Sequence, residues 1–206
     1  MKTKEPFAPS KFGDPIARQT KWSTIKYGGT HFRTHSIIQS APYKVEFKAS
    51  FKAKFLYTFF SLIGFTVMII FLFYSFENKK FNPEFILHII ISPVLLLVGI
   101  CVFYFGTRPI IFDKMSGYFW KGNQNPKEII DKSTIKHYCK ISDIHSLQII
   151  SEYCSSGKSS FYSYELNLVL NDAKRLNVID HGNLKKLRED SKILSQFLGI
   201  PIWDGV

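Results

Sequence analysis

Two stretches of the chain carry no charge and no polar stripe. Residues 55–76 read FLYTFFSLIGFTVMIIFLFYSF, and residues 85–105 read FILHIIISPVLLLVGICVFYF. A helix rises about 1.5 Å per residue, so roughly 20 apolar residues cross a bilayer core about 30 Å thick. Ile, Leu, Phe and Val occupy every face of both stretches, whereas a buried helix of a soluble protein keeps a polar side. The pattern predicts two transmembrane helices, 55–76 and 85–105, joined by a connector at 77–84 with the turn signal Asn82-Pro83. Tyr57, Tyr74 and Tyr104 sit near the span ends, where amphipathic rings favour the headgroup region. Ser61, Gly64, Ser92 and Gly99 are small residues that let the two helices pack closely. Pro93 removes one backbone donor and predicts a kink. The first span is not expected to be a cleavable signal peptide, because a polar arm precedes it and its apolar stretch is longer than a signal's usual run of about 7–15 residues.

Outside the spans the pattern changes to period two. Segments 30–39 and 43–51 are rich in β-formers, and Tyr43, Val45 and Phe47 alternate with Lys44, Glu46 and Lys48. RPIIFDKMSGYFWKG (108–122) reads as a hairpin. Ile141–Tyr153 and Tyr162–Leu170 read as strands around the turn CSSGKSS, and Arg175–Ile179 returns after Asn171-Asp172. Period 3.6 then takes over from about Asn183 to Leu198, with Leu184, Leu187, Leu194 and Leu198 on one stripe. Asn183 suits the N-cap, and Gly199 with Pro201 stops the helix. Met1–Thr20, with Pro6, Pro9, Gly13 and Pro15, lacks periodicity and is expected to be mobile. The expected organisation is therefore a mobile 1–20, a basic arm with strands at 21–54, the helical hairpin, and a cytosolic α+β domain at 107–206. That domain is a small antiparallel sheet closed by a C-terminal helix.

Charge orients the hairpin. The arm 1–54 holds eleven Lys/Arg against Glu5, Asp14 and Glu46, a net +8. The connector is neutral, and residues 106–206 carry fourteen Lys/Arg against eleven acids, a net +3. Positive flanks stay inside, so both termini are expected in the cytoplasm of a bacterial inner membrane. Three cysteines, Cys101, Cys139 and Cys154, are an odd number and do not form a secreted disulfide framework. The basic excess lies beside the membrane, and no nucleic-acid-binding module is present.

The span pair, the 108–122 hairpin, DIHSLQII, YELNLVLND…RLNVI and the terminal LKKLREDSKILSQFLGIPI together resemble bacterial two-span inner-membrane proteins with a pleckstrin-homology-like tail. The resemblance covers about residues 50–203. It implies a strand-rich domain closed by one helix and a binding or scaffolding role, with no catalytic residues to transfer.

The chemistry-bearing motifs are sparse. Gly157-Lys158-Ser159 lacks the first glycine and the following helix of a phosphate loop. His31 and His35 sit in a strand-like segment, and Cys139 and Cys154 lack zinc spacing. Asp180-His181-Gly182-Asn183 reads as a strand-to-helix turn, with Gly182 supplying backbone freedom, in preference to an acid–base pair. His88 lies one turn inside its span, near the interface. No cofactor, metal or catalytic residue is expected. Lys44, Lys48, Lys52 and Lys54 are expected to share one face of a strand entering the membrane and to contact anionic lipid. The expected function is non-enzymatic binding of a protein or lipid partner, with homo-oligomerisation open. The alternative is an immunity protein against a membrane-active toxin.

Overall fold

A computed structural model describes residues 7–25, 28–78, 83–129, 137–156 and 159–206, without the side chains of 75–90, 92 and 156. The expectations for His88, for the Ser92 side chain, for Asn82 and for the 157–158 turn lie outside the described residues. The chain divides into two compact units, one formed by 1–48 with 109–206 and the other by 49–108.

The larger unit is α+β. Strands β1 (His35–Ala41), β2 (Lys44–Ala49), β3 (Ile110–Asp113), β4 (Tyr118–Lys121) and β5 (Tyr138–Lys140) form a five-stranded sheet in that order. Strands β6 (Ile144–Ser156), β7 (Ser159–Leu170), β8 (Arg175–His181) and β9 (Ile202–Asp204) form a second sheet, ordered β8-β7-β6-β9. Helix α4, Leu184–Leu198, follows β8. The strands form where apolar residues recur every second position. Val45, Phe47, Ile110, Phe112, Phe119, Leu147, Ile149, Leu166 and Leu168 thereby meet in one core, which Leu187 and Leu194 of α4 complete. The expected ends of α4 are observed: the Asn183 side chain accepts from the Lys186 N–H, and Gly199 adopts φ 77°. Only a residue without a Cβ takes that conformation freely.

The strands expected in the arm are β1 and β2, and they join β3, β4 and β5 in the first sheet. One part of the expected layout is corrected. The Met1–Thr20 segment was expected to be mobile, yet a 3-10 turn at Pro9–Phe12 and helix α1 (Pro15–Gln19) are formed within it. Asp14 caps α1 by accepting from the Ile16 N–H, and Ala17 is fully buried. Local periodicity missed this segment because its order comes from contacts with distant strands. Two short strands, β5 and β9, also went unread; three residues cannot display a period.

The smaller unit contains α2 (Phe51–Asn78) and α3 (Pro83–Gly106). Across Phe51–Tyr74, α2 is long and apolar enough to cross a membrane, while the described apolar run of α3 is Pro93–Gly106. The helices run antiparallel, because Ser61 faces Gly99, Gly64 faces Leu95 and Leu96, and Tyr57 faces Gly106. A Cβ on Gly64 would lie 2.7 Å from the Leu96 nitrogen, and one on Gly99 would lie 2.7 Å from the Ser61 Cα. The two backbones therefore approach as closely as glycine permits. Large side chains such as Phe55, Phe73, Leu97 and Phe105 stay exposed on the outer faces. Arg108 closes this unit with its guanidinium 4.8 Å from the Tyr104 ring centroid and 4.3 Å from that of Phe105.

Candidate functional site

The lysine face expected at the membrane entry is not formed. Period two ends with β2 at Ala49, and Lys52 and Lys54 belong to α2. Two positions apart on a helix is about 200°, so those two lysines diverge. Lys44 and Lys48 do share a face of β2, but Glu46 stands between them and pairs with both, at 3.0 and 3.2 Å. Burial pushes the Glu46 carboxyl up, while Lys44, Ser40 and Lys48 together hold it below its ordinary value. Lys44 also lies at the end of β2 away from α2, opposite Asp113.

Two other lysines do line a cleft. The β3–β4 turn contributes Lys114, Ser116 and Gly117, β4 contributes Tyr118, and the end of β5 with the two residues after it contributes Lys140, Ile141 and Ser142 to a space of about 440 Å³. The Lys114 ammonium lies 4.7 Å above the Phe197 ring. The Asp113 carboxylate is engaged within the turn, accepting from the Met115 and Ser116 N–H groups. Asp143 accepts from the Ser142 hydroxyl. The cleft is thus lined by two lysines, and the Asp113 and Asp143 carboxylates are engaged by local donors.

A more extensive arrangement covers the outer face of the second sheet. Inward residues of β6 and β7 fill the core, so Ser146, Gln148 and Glu152 of β6 and Ser163, Glu165 and Asn167 of β7 point outward. The N-terminal segment crosses this face. Lys11 donates to the Asp204 carbonyl at 2.8 Å, and Asp14 meets His145 at 2.6 Å. Gln148 donates to the Lys21 carbonyl at 3.1 Å, and Arg175 to the Ser23 carbonyl at 2.7 Å. Glu165 accepts from the Ile25 N–H at 3.0 and 3.1 Å. Glu152 accepts from Gly28 and Gly29, and the Ser163 hydroxyl accepts from Thr30. Trp22 and Phe12 pack on Trp203 of β9, with centroid separations of 6.2 and 5.9 Å. The Trp22 indole N–H donates to the Ala17 carbonyl. None of these residues stood out in the sequence. The outward positions were polar, which is the ordinary signature of a solvated face. The signal that could have found them is a pair of isolated tryptophans, Trp22 and Trp203, each outside a periodic segment.

At the β8–α4 corner His181 is fully buried. Its Nδ1 accepts from the Asn183 N–H at 2.8 Å, while its Nε2 has no partner among the described residues. Burial, then the charges of Arg33 and His35, push the imidazole down to about 4. It is therefore neutral at pH 7, with its proton on Nε2. Asp180 does not orient it, because the Asp180 carboxylate accepts from Asn177. Gly182 is needed for space rather than for conformational freedom: a Cβ there would lie 2.2 Å from the His31 carbonyl group. Arg33 reaches Asp190 of α4 at 2.9 Å, yet burial still raises the Asp190 carboxyl against that pairing. His31 lies edge-on to Phe161, and His35 bonds Thr34. Cys139 is buried, and its thiol is pushed up to about 12 by burial and Asp143. Such a thiol is inert.

No protein-family model matches this chain, and neither a curated protein nor a solved structure is similar to it. The pleckstrin-homology-like resemblance therefore rests on the layout of the sequence alone.

Proposed function

We propose that this chain is a non-enzymatic membrane-anchored binding protein, multi-pass in a bacterial inner membrane, whose α+β unit engages a partner on the cytoplasmic side. The observation that carries this reading is the place of the helix pair in the chain. The segment 49–108 is inserted between β2 and β3, which are hydrogen-bonded neighbours with Phe47 opposite Ile110. A chain that leaves one strand, crosses a bilayer twice and re-enters the adjacent strand keeps both flanks on one side. Lys52, Lys54 and Arg108 at those flanks favour the cytoplasmic side. The pleckstrin-homology-like layout supports binding over catalysis, as does the lysine cleft between the β3–β4 turn and the start of β6.

Reporter fusions at Asn78 and Val206 test the anchor. An external signal at Asn78 with a cytoplasmic one at Val206 is expected, and an external signal at Val206 defeats the topology. A photo-cross-linking residue at Lys140, introduced into the full chain in cells, tests binding. A discrete adduct with one protein or with lipid is expected; its absence removes the binding reading at the cleft.

A further inference from the structure

The contacts beneath the N-terminal segment have a common chemistry. Five side chains on β6, β7 and β8 (Gln148, Glu152, Ser163, Glu165 and Arg175) engage main-chain carbonyl and N–H groups of residues 21, 23, 25, 28, 29 and 30. Bonds to main-chain atoms hold any extended peptide, whatever its side chains. The covered face is mixed, with polar side chains standing among the buried Ile150, Val169 and Trp203. Gln148 and Asn167 are fully buried, Glu165 is 2% exposed and Ser163 is 1% exposed. Among the described residues, Ser146 Oγ and Asn167 Oδ1 on that face, and Thr30 Oγ1 on the segment, are buried without hydrogen-bond partners. Covering such atoms strips them of water with no compensating bond, which opposes closure. The polar side chains of this face regain water when it is uncovered, while Ile150, Val169 and Trp203 oppose uncovering. One apolar anchor fixes the position of the segment, where Phe12 and Trp22 meet Trp203 beside the buried Ala17.

We propose that the outer face of the β8-β7-β6-β9 sheet is a recognition track for an extended peptide segment of a partner protein, occupied in cis by residues 21–25 and 28–30. Main-chain bonds supply the grip and the Trp203 anchor selects an aromatic residue, the division of labour found in strand-like peptide recognition. The inference deepens the binding reading above but rests on different residues from the lysine cleft.

The test uses the full chain in nanodiscs and a labelled synthetic peptide of residues 7–30 as the probe. Hydrogen exchange is expected to show amides of residues 16–30 opening at least 100-fold faster than those of β6 and β7. The tethered segment competes at an effective concentration in the millimolar range. Trp22→Ala, which loosens the tether, should therefore strengthen probe binding at least tenfold. Adding Glu152→Gln or Glu165→Gln to that variant should weaken binding again. Exchange of the segment only together with the sheet would make it a fixed part of the fold and overturn the proposal. So would absence of probe binding to a Trp22→Ala chain whose segment exchanges freely. Dimers formed by exchange of N-terminal segments would overturn the partner assignment in favour of a second copy. None of these failures touches the cross-linking result at Lys140 or the reporter topology.

Discussion

The His145 imidazole and the Asp14 carboxylate meet at 2.6 Å, although 131 positions separate them along the chain. That contact pins the start of α1 to the start of β6. The bond from His145 is the chief reason that the Asp14 carboxyl lies below its ordinary value of 3.8. A carboxyl with a lowered folded pKa contributes stability above its unfolded value and loses it as pH falls through the folded one. The segment is therefore expected to loosen below about pH 4. Asp14→Asn should loosen it at neutral pH, speeding exchange of residues 16–25 by roughly three- to tenfold for a part-exposed charge-assisted bond. Exchange in that variant identical to wild type would show that the aromatic anchor alone holds the segment.

His181 sets a second pH dependence. Its folded pKa is lowered to about 4, against an ordinary 6.5. Between these values the unfolded chain binds the proton and the folded chain does not. Stability is therefore greatest above pH 6.5 and falls on acidification towards pH 4, by on the order of 3 kcal/mol. Urea midpoints measured from pH 7 to pH 4 check this. His181→Gln keeps a polar side chain and should flatten that limb relative to the native chain.

The α4 stripe provides a third test. Leu194 is fully buried among residues of both sheets and Leu187. Leu194→Ala should cost about 2–5 kcal/mol, the usual range for a leucine removed from a close-packed core. Ile193, beside it in sequence, is 43% exposed, and Ile193→Ala should cost well under that. Denaturant titration followed by tryptophan fluorescence compares the two, and equal costs would place the stripe elsewhere.

The helix pair makes a differential prediction. At Gly64 and Gly99 an added Cβ meets backbone atoms of the opposite helix at 2.7 Å, whereas at Gly106 it meets the ring of Tyr57. A side chain can rotate away, but a backbone cannot without separating the helices. Gly64→Ala and Gly99→Ala should therefore lower the midpoint of SDS-induced unfolding in micelles, and Gly106→Ala should lower it less. The reverse order would contradict the close approach.

Much of the fold was legible because several residues encode their own local structure. The alternation Tyr164, Leu166, Leu168 and Leu170 specifies a strand without reference to anything else, and Asn183, the leucine stripe and Gly199 specify a helix with both its ends. The uncharged Phe55–Phe76 run specifies a helix compatible with a bilayer. The candidate sites were not legible in the same way. Glu165 and Gln148 occupy polar positions between apolar neighbours, the ordinary pattern of the solvent side of a strand, and only the chain crossing over them makes them buried. Lys44, Lys48, Lys52 and Lys54 looked like one face because their spacing is even, but the helix begins at Phe51 and breaks the period.

The sequence by itself determined where the chain is apolar enough to enter a membrane, which segments alternate as strands and where α4 starts and stops. These are consequences of hydrophobicity and backbone geometry over a few neighbouring residues. Only the tertiary structure decided that Phe47 and Ile110 pair across the whole helical insertion, that Ile202–Asp204 adds a parallel edge to β6, and that residues 7–25 and 28–30 lie over the outer face of the second sheet. Each of those depends on which distant surfaces meet. Strand pairing and main-chain contacts of that kind leave no period in the residues that make them.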